Sequence, residues 1–230
     1  MVKQAVKSKG RKNKYWCIWA LLAVFCLATV IVIAGAYAAS ARLPQGVGHV
    51  LTGTELEKVK ERNSPLIDYV HLSANADFPR TSKISKITIH HMAGNLSLEK
   101  LGESFGKRDR KASASYAVDS AGRVALYVEE QNRPWSSADF ENDNMAVTIE
   151  VANDTIGGDW HVSDAAYEKL IELCTDICRR NGIEELIYTG DASGNLTTHK
   201  MFLSQTECPG PYLESRMSEI ADAVNANLRQ

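Results

Sequence analysis

Hydrophobic and polar residues alternate in several short stretches of the chain, and a period of two is the signature of a half-buried β-strand. The clearest example is residues 84–91 (ISKITIHH), in which three isoleucines are interleaved with polar residues and lead to His90 and His91. Further strands are predicted at residues 115–118, 124–128, 146–151 and 183–189. One strand of the predicted sheet therefore ends in two neighbouring imidazoles.

Other stretches repeat their apolar residues every three or four positions, which predicts helices with one buried face. The longest of them covers Asp164 to Asn181. Shorter helices are predicted at residues 54–62, where a capping box begins, at 97–105 and at 214–227. Because strands alternate with helices, the predicted fold class is α/β with a central sheet flanked by helices.

The N-terminal segment has a different pattern. Tyr15 to Ala39 (YWCIWALLAVFCLATVIVIAGAYAA) is a run of 25 residues without a charge, and as a helix it would be about 37 Å long, against about 30 Å of bilayer hydrocarbon. Six Lys and Arg residues and no acid precede it, so the positive-inside rule predicts a cytoplasmic N-terminus. We expect one transmembrane helix in the cell membrane, with the remaining chain on the extracytoplasmic side.

The alternative for this segment is a cleaved signal peptide, which would release a secreted protein. The run 36–38 (AYA) is a small-x-small cleavage site, although the apolar stretch exceeds the roughly 7–15 residues usual for a signal. The expected organisation is a basic cytoplasmic segment at 1–14, the anchor at 15–39, a linker with a short helix at 40–66 and one folded domain at 67–230.

Charge and cysteine usage narrow the function classes. After the first 14 residues the chain carries 20 basic and 28 acidic residues, a balance that does not favour a nucleic-acid-binding surface. Cys174 and Cys178 lie four residues apart on a predicted helix. We therefore expect two buried core thiols and no disulfide framework. Cys208 stands alone in a rigid Cys-Pro-Gly run.

Two groups of metal-ligating residues lie more than a hundred residues apart in the chain. One histidine of the pair at 90–91, together with His199 and Cys208, makes the ligand set of a zinc site with an open fourth position, the form typical of catalytic sites. Glu150 lies in a predicted strand, and a carboxylate beside such a site can accept a proton from water. These residues alone leave three alternatives open: a hydrogen-bonded surface histidine pair, an exposed strand carboxylate and a structural metal site.

Four motifs in order make the chain resemble the zinc-dependent N-acetylmuramoyl-L-alanine amidases of type 2, a family that includes phage endolysins and peptidoglycan recognition proteins. They are 87–93 (ITIHHMA), 114–119 (ASYAVD), 146–150 (AVTIE) and the ending from His199 to 206–210 (TECPG). The resemblance covers about Ile67 to the C-terminus. It implies a central mixed β-sheet flanked by helices, and hydrolysis of the peptidoglycan amide that joins N-acetylmuramic acid to the L-alanine of the stem peptide.

The resemblance also implies roles for individual residues. His90, rather than its neighbour His91, is expected to ligate Zn²⁺ together with His199 and Cys208. Glu150 matches the carboxylate that serves as catalytic acid and base in many members. The expected substrate is a muropeptide of peptidoglycan.

The remaining assignments concern the substrate. Thr206 matches a position that stabilises the oxyanion on the scissile carbonyl, and Trp135 and Tyr116 are expected to contact the substrate. The chain departs from many members at Ser115, where they carry a histidine. The alternative function is a non-catalytic peptidoglycan-binding or sensor domain that uses the same cleft; the presence of Cys208 favours catalysis, because loss of this ligand accompanies loss of activity in the family.

Overall fold

The computed structural model describes residues 43–230, of which Pro44–Gln230 form one compact unit. The predicted basic segment at 1–14 and the predicted anchor at 15–39 lie outside the described residues. Among the residues that are described, no helix combines the length and the apolar character that a membrane crossing requires.

Seven strands of the described chain form a mixed sheet, and two short ones form a separate antiparallel pair. In chain order the strands are β1 Val50–Leu51, β2 Ile67–His71, β3 Ala76–Asp77, β4 Lys86–His91, β5 Tyr116–Val118, β6 Val124–Leu126, β7 Arg133–Pro134, β8 Ala146–Val151 and β9 Leu196–Thr198. The order across the large sheet is β1-β2-β6-β5-β8-β4-β9, and β3 pairs with β7. β4 lies between β8 and β9 and is parallel to both, so the carboxyl ends of three neighbouring strands meet at one edge.

Helices flank this sheet. They are α1 Gly53–Arg62, α2 Leu98–Gly106, α3 Phe140–Met145, α4 Asp164–Asn181, α5 Gly210–Glu214 and α6 Met217–Leu228, with 3₁₀ turns at Arg108–Arg110 and His199–Met201. The prediction of an α/β fold with a central mixed sheet flanked by helices is confirmed.

The two faces of the sheet pack against different helices. Ile87, Ile89 and Ile149 belong to the larger core, which also contains the buried residues of α4 and α6. The smaller core joins α2 to Ala117 and Tyr127 on the opposite face. Since side chains alternate along a strand, the even-numbered positions of β4 and β8 point towards the face that α2 covers.

The structure differs from the sequence prediction at residues 183–189, which form an irregular segment and not a strand. Two asparagine side chains replace the expected ladder partners: the backbone N–H groups of Leu186 and Ile187 donate to the side-chain oxygens of Asn225 (2.8 Å) and Asn195 (2.6 Å). The edge strand forms instead at β9, which the sequence pattern did not indicate.

Two helix predictions also change in detail. The predicted capping box is not formed, because α1 begins at Gly53 with Thr52 as its N-cap and no side-chain cap bond. The predicted last helix at 214–227 is α6 in the structure and begins at Met217, and the separate short helix α5 precedes it. Residues 44–66, which are the larger part of the predicted linker and short helix at 40–66, pack as part of the compact unit: β1 pairs with β2, and Val59 of α1 is buried.

Candidate active site

The carboxyl ends of the three parallel strands carry the predicted site residues. His90 lies next to last in β4, and Glu150 lies next to last in β8 as its register partner. His199 follows directly after β9. Ligand sites of α/β sheets form at the carboxyl ends of parallel strands, so the topology places these three side chains at the edge where such a site is expected.

Cys208 reaches the same edge through the loop that follows His199. The backbone N–H of Lys200 donates to the carbonyl of Cys208 at 3.0 Å, which joins the two ends of the loop. The backbone N–H of His91 donates to the Cys208 sulfur at 3.4 Å. This bond favours negative charge on the sulfur and ties the loop to the end of β4.

The structure brings the three predicted ligands together. His90, His199 and Cys208 each offer one ligand atom, and these atoms lie within 4.8 Å of one another. The Nδ1 atom of His90 is 3.5 Å from the Cys208 sulfur. A tetrahedral zinc with Zn–N of about 2.0 Å and Zn–S of about 2.3 Å separates two such ligand atoms by about 3.5 Å. The donor set and this separation fit a zinc ion.

Burial sets the protonation of these groups. It is the main reason that the pKa of His90 falls well below its usual value, with the nearby His199 and His91 adding to the effect. Burial also lowers the pKa of His199, so both imidazoles are neutral near pH 7, as metal ligation requires. Burial raises the pKa of the Cys208 thiol; a bound dication reverses this preference and favours the thiolate.

Glu150 is the acidic group of the site. Its Oε2 atom is buried and finds no hydrogen-bond partner among the described residues. Desolvation raises the pKa of Glu150 from 4.5 to about 8, and the charge of Arg110 opposes this shift. A carboxyl group with a pKa near the working pH can both accept and release a proton, which is the requirement for general acid–base chemistry.

Thr206 supports the cysteine loop. Its hydroxyl oxygen accepts a hydrogen bond from the backbone N–H of Cys208 at 3.2 Å. The hydroxyl hydrogen is thereby left available to donate to another group. The structure thus gives Thr206 a local contact in the cysteine loop, and its contact with an oxyanion stays a prediction.

A cavity of about 440 Å³ opens beside His199. Trp135 lines it, and its indole N–H donates to Asp77 at 3.1 Å, which fixes the ring in the cavity wall. Arg133 also lines the cavity, where it pairs with Asp77 and lies with its guanidinium 4.3 Å from the centre of the Phe140 ring. Trp135 therefore lies in the wall of a cavity next to His199, and its contact with substrate stays a prediction.

Tyr116 does not reach this cavity, which corrects the prediction that it contacts the substrate. Its side chain is fully buried in the larger core on the other face of the sheet, and its hydroxyl donates to Glu130 at 2.6 Å. Ser115 is also fully buried, with its backbone N–H donating to the Thr148 hydroxyl at 3.0 Å. The residue that replaces the family's histidine therefore lies just before β5 and beside β8.

His91 lies beside the cluster rather than in it. Its ring packs edge-on against Trp160, with ring centres 5.3 Å apart, and the close approach of Gly210 to the same ring leaves no space for a larger residue there. His91 therefore forms part of the wall behind Cys208, in agreement with the choice of His90 as the ligand.

The loop before α3 contributes a site residue that the sequence pattern does not indicate. Ser136 lines the cavity, and its hydroxyl oxygen is 3.0 Å from the Nε2 atom of His90. Asp143 of α3 holds this loop by accepting from the backbone N–H of Ser136 at 2.9 Å. A single serine in an irregular segment carries no periodic signal, and its position follows from tertiary contacts alone.

Comparisons with known proteins agree with this arrangement. The chain matches the family described as N-acetylmuramoyl-L-alanine amidase over residues 80–211. Among solved structures, it is similar to a mutant of PlyL (15% identity, TM-score 0.52, 68% of this chain and 97% of that chain) and to PlyL itself (16% identity, TM-score 0.50, 73% and 91%). It is also similar to an AmpD derivative (16% identity, TM-score 0.51, 66% and 93%).

At this level of identity the structural matches establish the fold alone, and a search of curated proteins gave no match. The family match spans more than half of the chain and contains His90, Glu150, His199 and Cys208. This chain therefore belongs to the type 2 N-acetylmuramoyl-L-alanine amidase family.

Proposed function

We propose that this chain is a zinc-dependent N-acetylmuramoyl-L-alanine amidase that cleaves the amide between N-acetylmuramic acid and the L-alanine of the stem peptide. Peptidoglycan amidase activity follows from the family. The main support for a zinc-dependent catalytic mechanism is that His90, His199 and Cys208 converge, with Glu150 on the neighbouring strand.

The metal ligands in this proposal are His90 through Nδ1, His199, and Cys208 through its sulfur. Bound zinc supplies a Lewis acid that polarises a carbonyl and lowers the pKa of water towards 7. Three protein ligands leave one position open, as in catalytic zinc sites. The backbone N–H of His91 contributes by stabilising the sulfur of Cys208 as an anion.

Glu150 carries the proton transfers. In its ionised form, the carboxylate accepts a proton from the attacking water. It then holds that proton and delivers it to the nitrogen of the departing L-alanine, which leaves as an amine. The buried Oε2 atom supports this role, because a proton held there lies in a water-poor environment.

The remaining residues bind and orient the substrate. Trp135 offers an immobilised aromatic face to the sugar or peptide, and Arg133 lies beside it in the cavity wall. The hydroxyl of Thr206 donates to the oxyanion that forms on the scissile carbonyl. One neutral donor of this kind contributes a factor of about 10²–10³ in the acyl-transfer enzymes where it has been removed.

The test is incubation of the purified full-length protein, in mild detergent, with defined muropeptides and identification of the products by mass spectrometry. Cys208→Ala and Glu150→Gln are the test variants, and Glu168→Gln on the exposed face of α4 is the matched control. We expect the parent and the control to release stem peptide with a free N-terminal alanine, and both test variants to lose this product. Zinc-dependent binding of intact muropeptide without cleavage would instead support the sensor function.

We also propose that residues 15–39 anchor the protein in the cell membrane with the amidase domain on the extracytoplasmic side. The uncharged run of 25 residues and the basic residues before it support this arrangement. Mass spectrometry of the protein isolated from membranes tests it. An intact N-terminus, together with protease access to the domain from outside the cell, is the expected result; an N-terminus that begins after residue 38 would support the secreted form.

A further inference from the structure

The two ring nitrogens of His90 have different neighbours. Nδ1 faces the Cys208 sulfur at 3.5 Å, and Nε2 faces the hydroxyl oxygen of Ser136 at 3.0 Å. His90 is only 1% exposed, so solvent does not compete for either nitrogen. A neutral imidazole carries one N–H and one lone pair; the group that accepts the N–H therefore decides which nitrogen can ligate a metal.

The position of Ser136 does not depend on its own side chain. The carboxylate of Asp143 accepts from the backbone N–H of Ser136 at 2.9 Å and from that of Ser137 at 3.0 and 3.1 Å. Asp143 is 1% exposed and lies in α3, whose N-cap is Asp139. The helix thus holds the backbone of the loop, and the Ser136 hydroxyl is presented to His90 from a fixed support.

The neighbouring serine has a different contact. The side-chain amide of Asn142 donates to the Ser137 hydroxyl at 3.0 Å and to the Thr88 hydroxyl at 2.9 Å. Ser137 is fully buried and belongs to this polar network beneath the loop. The two serines share the same backbone support, but of the pair it is Ser136 that contacts the imidazole.

We propose that Ser136 is a positioning residue of the metal centre: its hydroxyl accepts the Nε2–H of His90, fixes the imidazole tautomer and directs the Nδ1 lone pair towards the site shared with Cys208. This inference rests on the metal centre of the proposed function. Partners of this kind orient the ring, and removing one typically weakens metal affinity by about 10–100-fold.

The test measures zinc affinity of the full-length protein in mild detergent by competition with a chromophoric chelator, so that its readout is independent of turnover. We expect Ser136→Ala to raise the zinc dissociation constant by about 10–100-fold, and Ser136→Thr, which keeps the hydroxyl, to remain within about threefold of the parent. Ser137→Ala is the matched control, because it alters the same loop without removing a contact to His90. We expect it to keep the parental affinity.

Cobalt substitution supplies a second readout. In the Co²⁺-loaded protein, the d–d absorption bands report ligand geometry; we expect them to change in Ser136→Ala and to return to the parental form in Ser136→Thr. Parental zinc affinity in Ser136→Ala, combined with a higher KM for muropeptide, would overturn the inference and make Ser136 a substrate contact. Equal losses in Ser136→Ala and Ser137→Ala would also overturn it, because they would indicate general disturbance of the loop.

A further variant separates this inference from the proposed function. If the parent binds zinc and Cys208→Ala does not, the metal centre stands and the serine variants judge Ser136 alone. If the parent itself binds no zinc, the zinc-dependent function fails, and the role of Ser136 fails with it.

Discussion

Substitution of Glu150 by glutamine should change how the stability of the metal-free protein depends on pH. Burial raises the pKa of Glu150 from 4.5 to about 8, so between these two values the folded protein holds a proton that the unfolded chain has released. Stability then falls as the pH rises through this range, because the folded state binds more protons than the unfolded state. Glutamine cannot ionise, so the variant should lack this component.

The expected magnitude follows from the two pKa values. One proton is worth about 1.4 kcal/mol per pH unit within the range, and integration from pH 5 to pH 8 gives a loss of about 3.5 kcal/mol for the parent relative to Glu150→Gln. A domain of this size shifts its Tm by roughly 2–4 °C per kcal/mol. The difference in Tm between variant and parent should therefore grow by roughly 7–14 °C between pH 5 and pH 8.

Thermal unfolding of both proteins in a strong chelator, at several pH values, measures this difference. Subtraction of the two curves removes the contribution of every other titrating group that the two proteins share. Glu168→Gln, on the exposed face of α4, is the control and should track the parent at each pH. A constant difference in Tm across the range would refute the reasoning, because it would mean that Glu150 ionises in the fold as readily as in the unfolded chain.

Three further predictions concern metal, packing and a buried ion pair. Zinc at 100 times its dissociation constant should stabilise the parent by about 2.7 kcal/mol in thermal unfolding, and Cys208→Ala should lose this gain. Gly102→Ala should lower the free energy of unfolding by about 1–3 kcal/mol in urea titrations, because its Cβ would lie 2.8 Å from a ring atom of His71. Gly106→Ala is the control: its Cβ would lie 3.6 Å from the same ring, so it should not show that overpacking penalty. Glu130→Ala should cost about 3–5 kcal/mol in the same titrations, because it leaves a buried tyrosine hydroxyl and an arginine without their carboxylate; a loss below 1 kcal/mol would contradict this estimate.

Much of the site could be predicted because its residues lie at the ends of strongly patterned strands. The isoleucines of β4 and the run 146–151 of β8 indicate their strands directly, and His90 and Glu150 are fixed within them. What the pattern does not contain is register. The alignment of His90 with Glu150 joins segments sixty residues apart in sequence and is decided by packing of the whole sheet.

The two clearest errors have physical causes. β5 is buried on both faces, so its sequence does not reveal which side chains point to the cleft. The expected substrate contact of Tyr116 is wrong because its side chain lies in the larger core. Residues 183–189 have the composition of a strand, but the backbone N–H groups of Leu186 and Ile187 donate to asparagine side chains and not to a neighbouring strand. Single polar side chains that replace a ladder leave no periodic trace in the sequence.

Burial prepares the groups of the site for chemistry, and the same burial destabilises the metal-free fold. His90 is confined to its neutral form, the Cys208 thiol resists ionisation, and the Oε2 atom of Glu150 lies buried without a partner. A dication at the cluster binds the neutral imidazole directly. Its positive charge also stabilises the Cys208 thiolate, which has no such partner charge in the metal-free fold. Folding assembles these groups through the sheet and the loop after β9, so metal affinity and stability are linked through the same contacts. Loop residues such as Ser136, which hold the imidazole in one orientation, act on both.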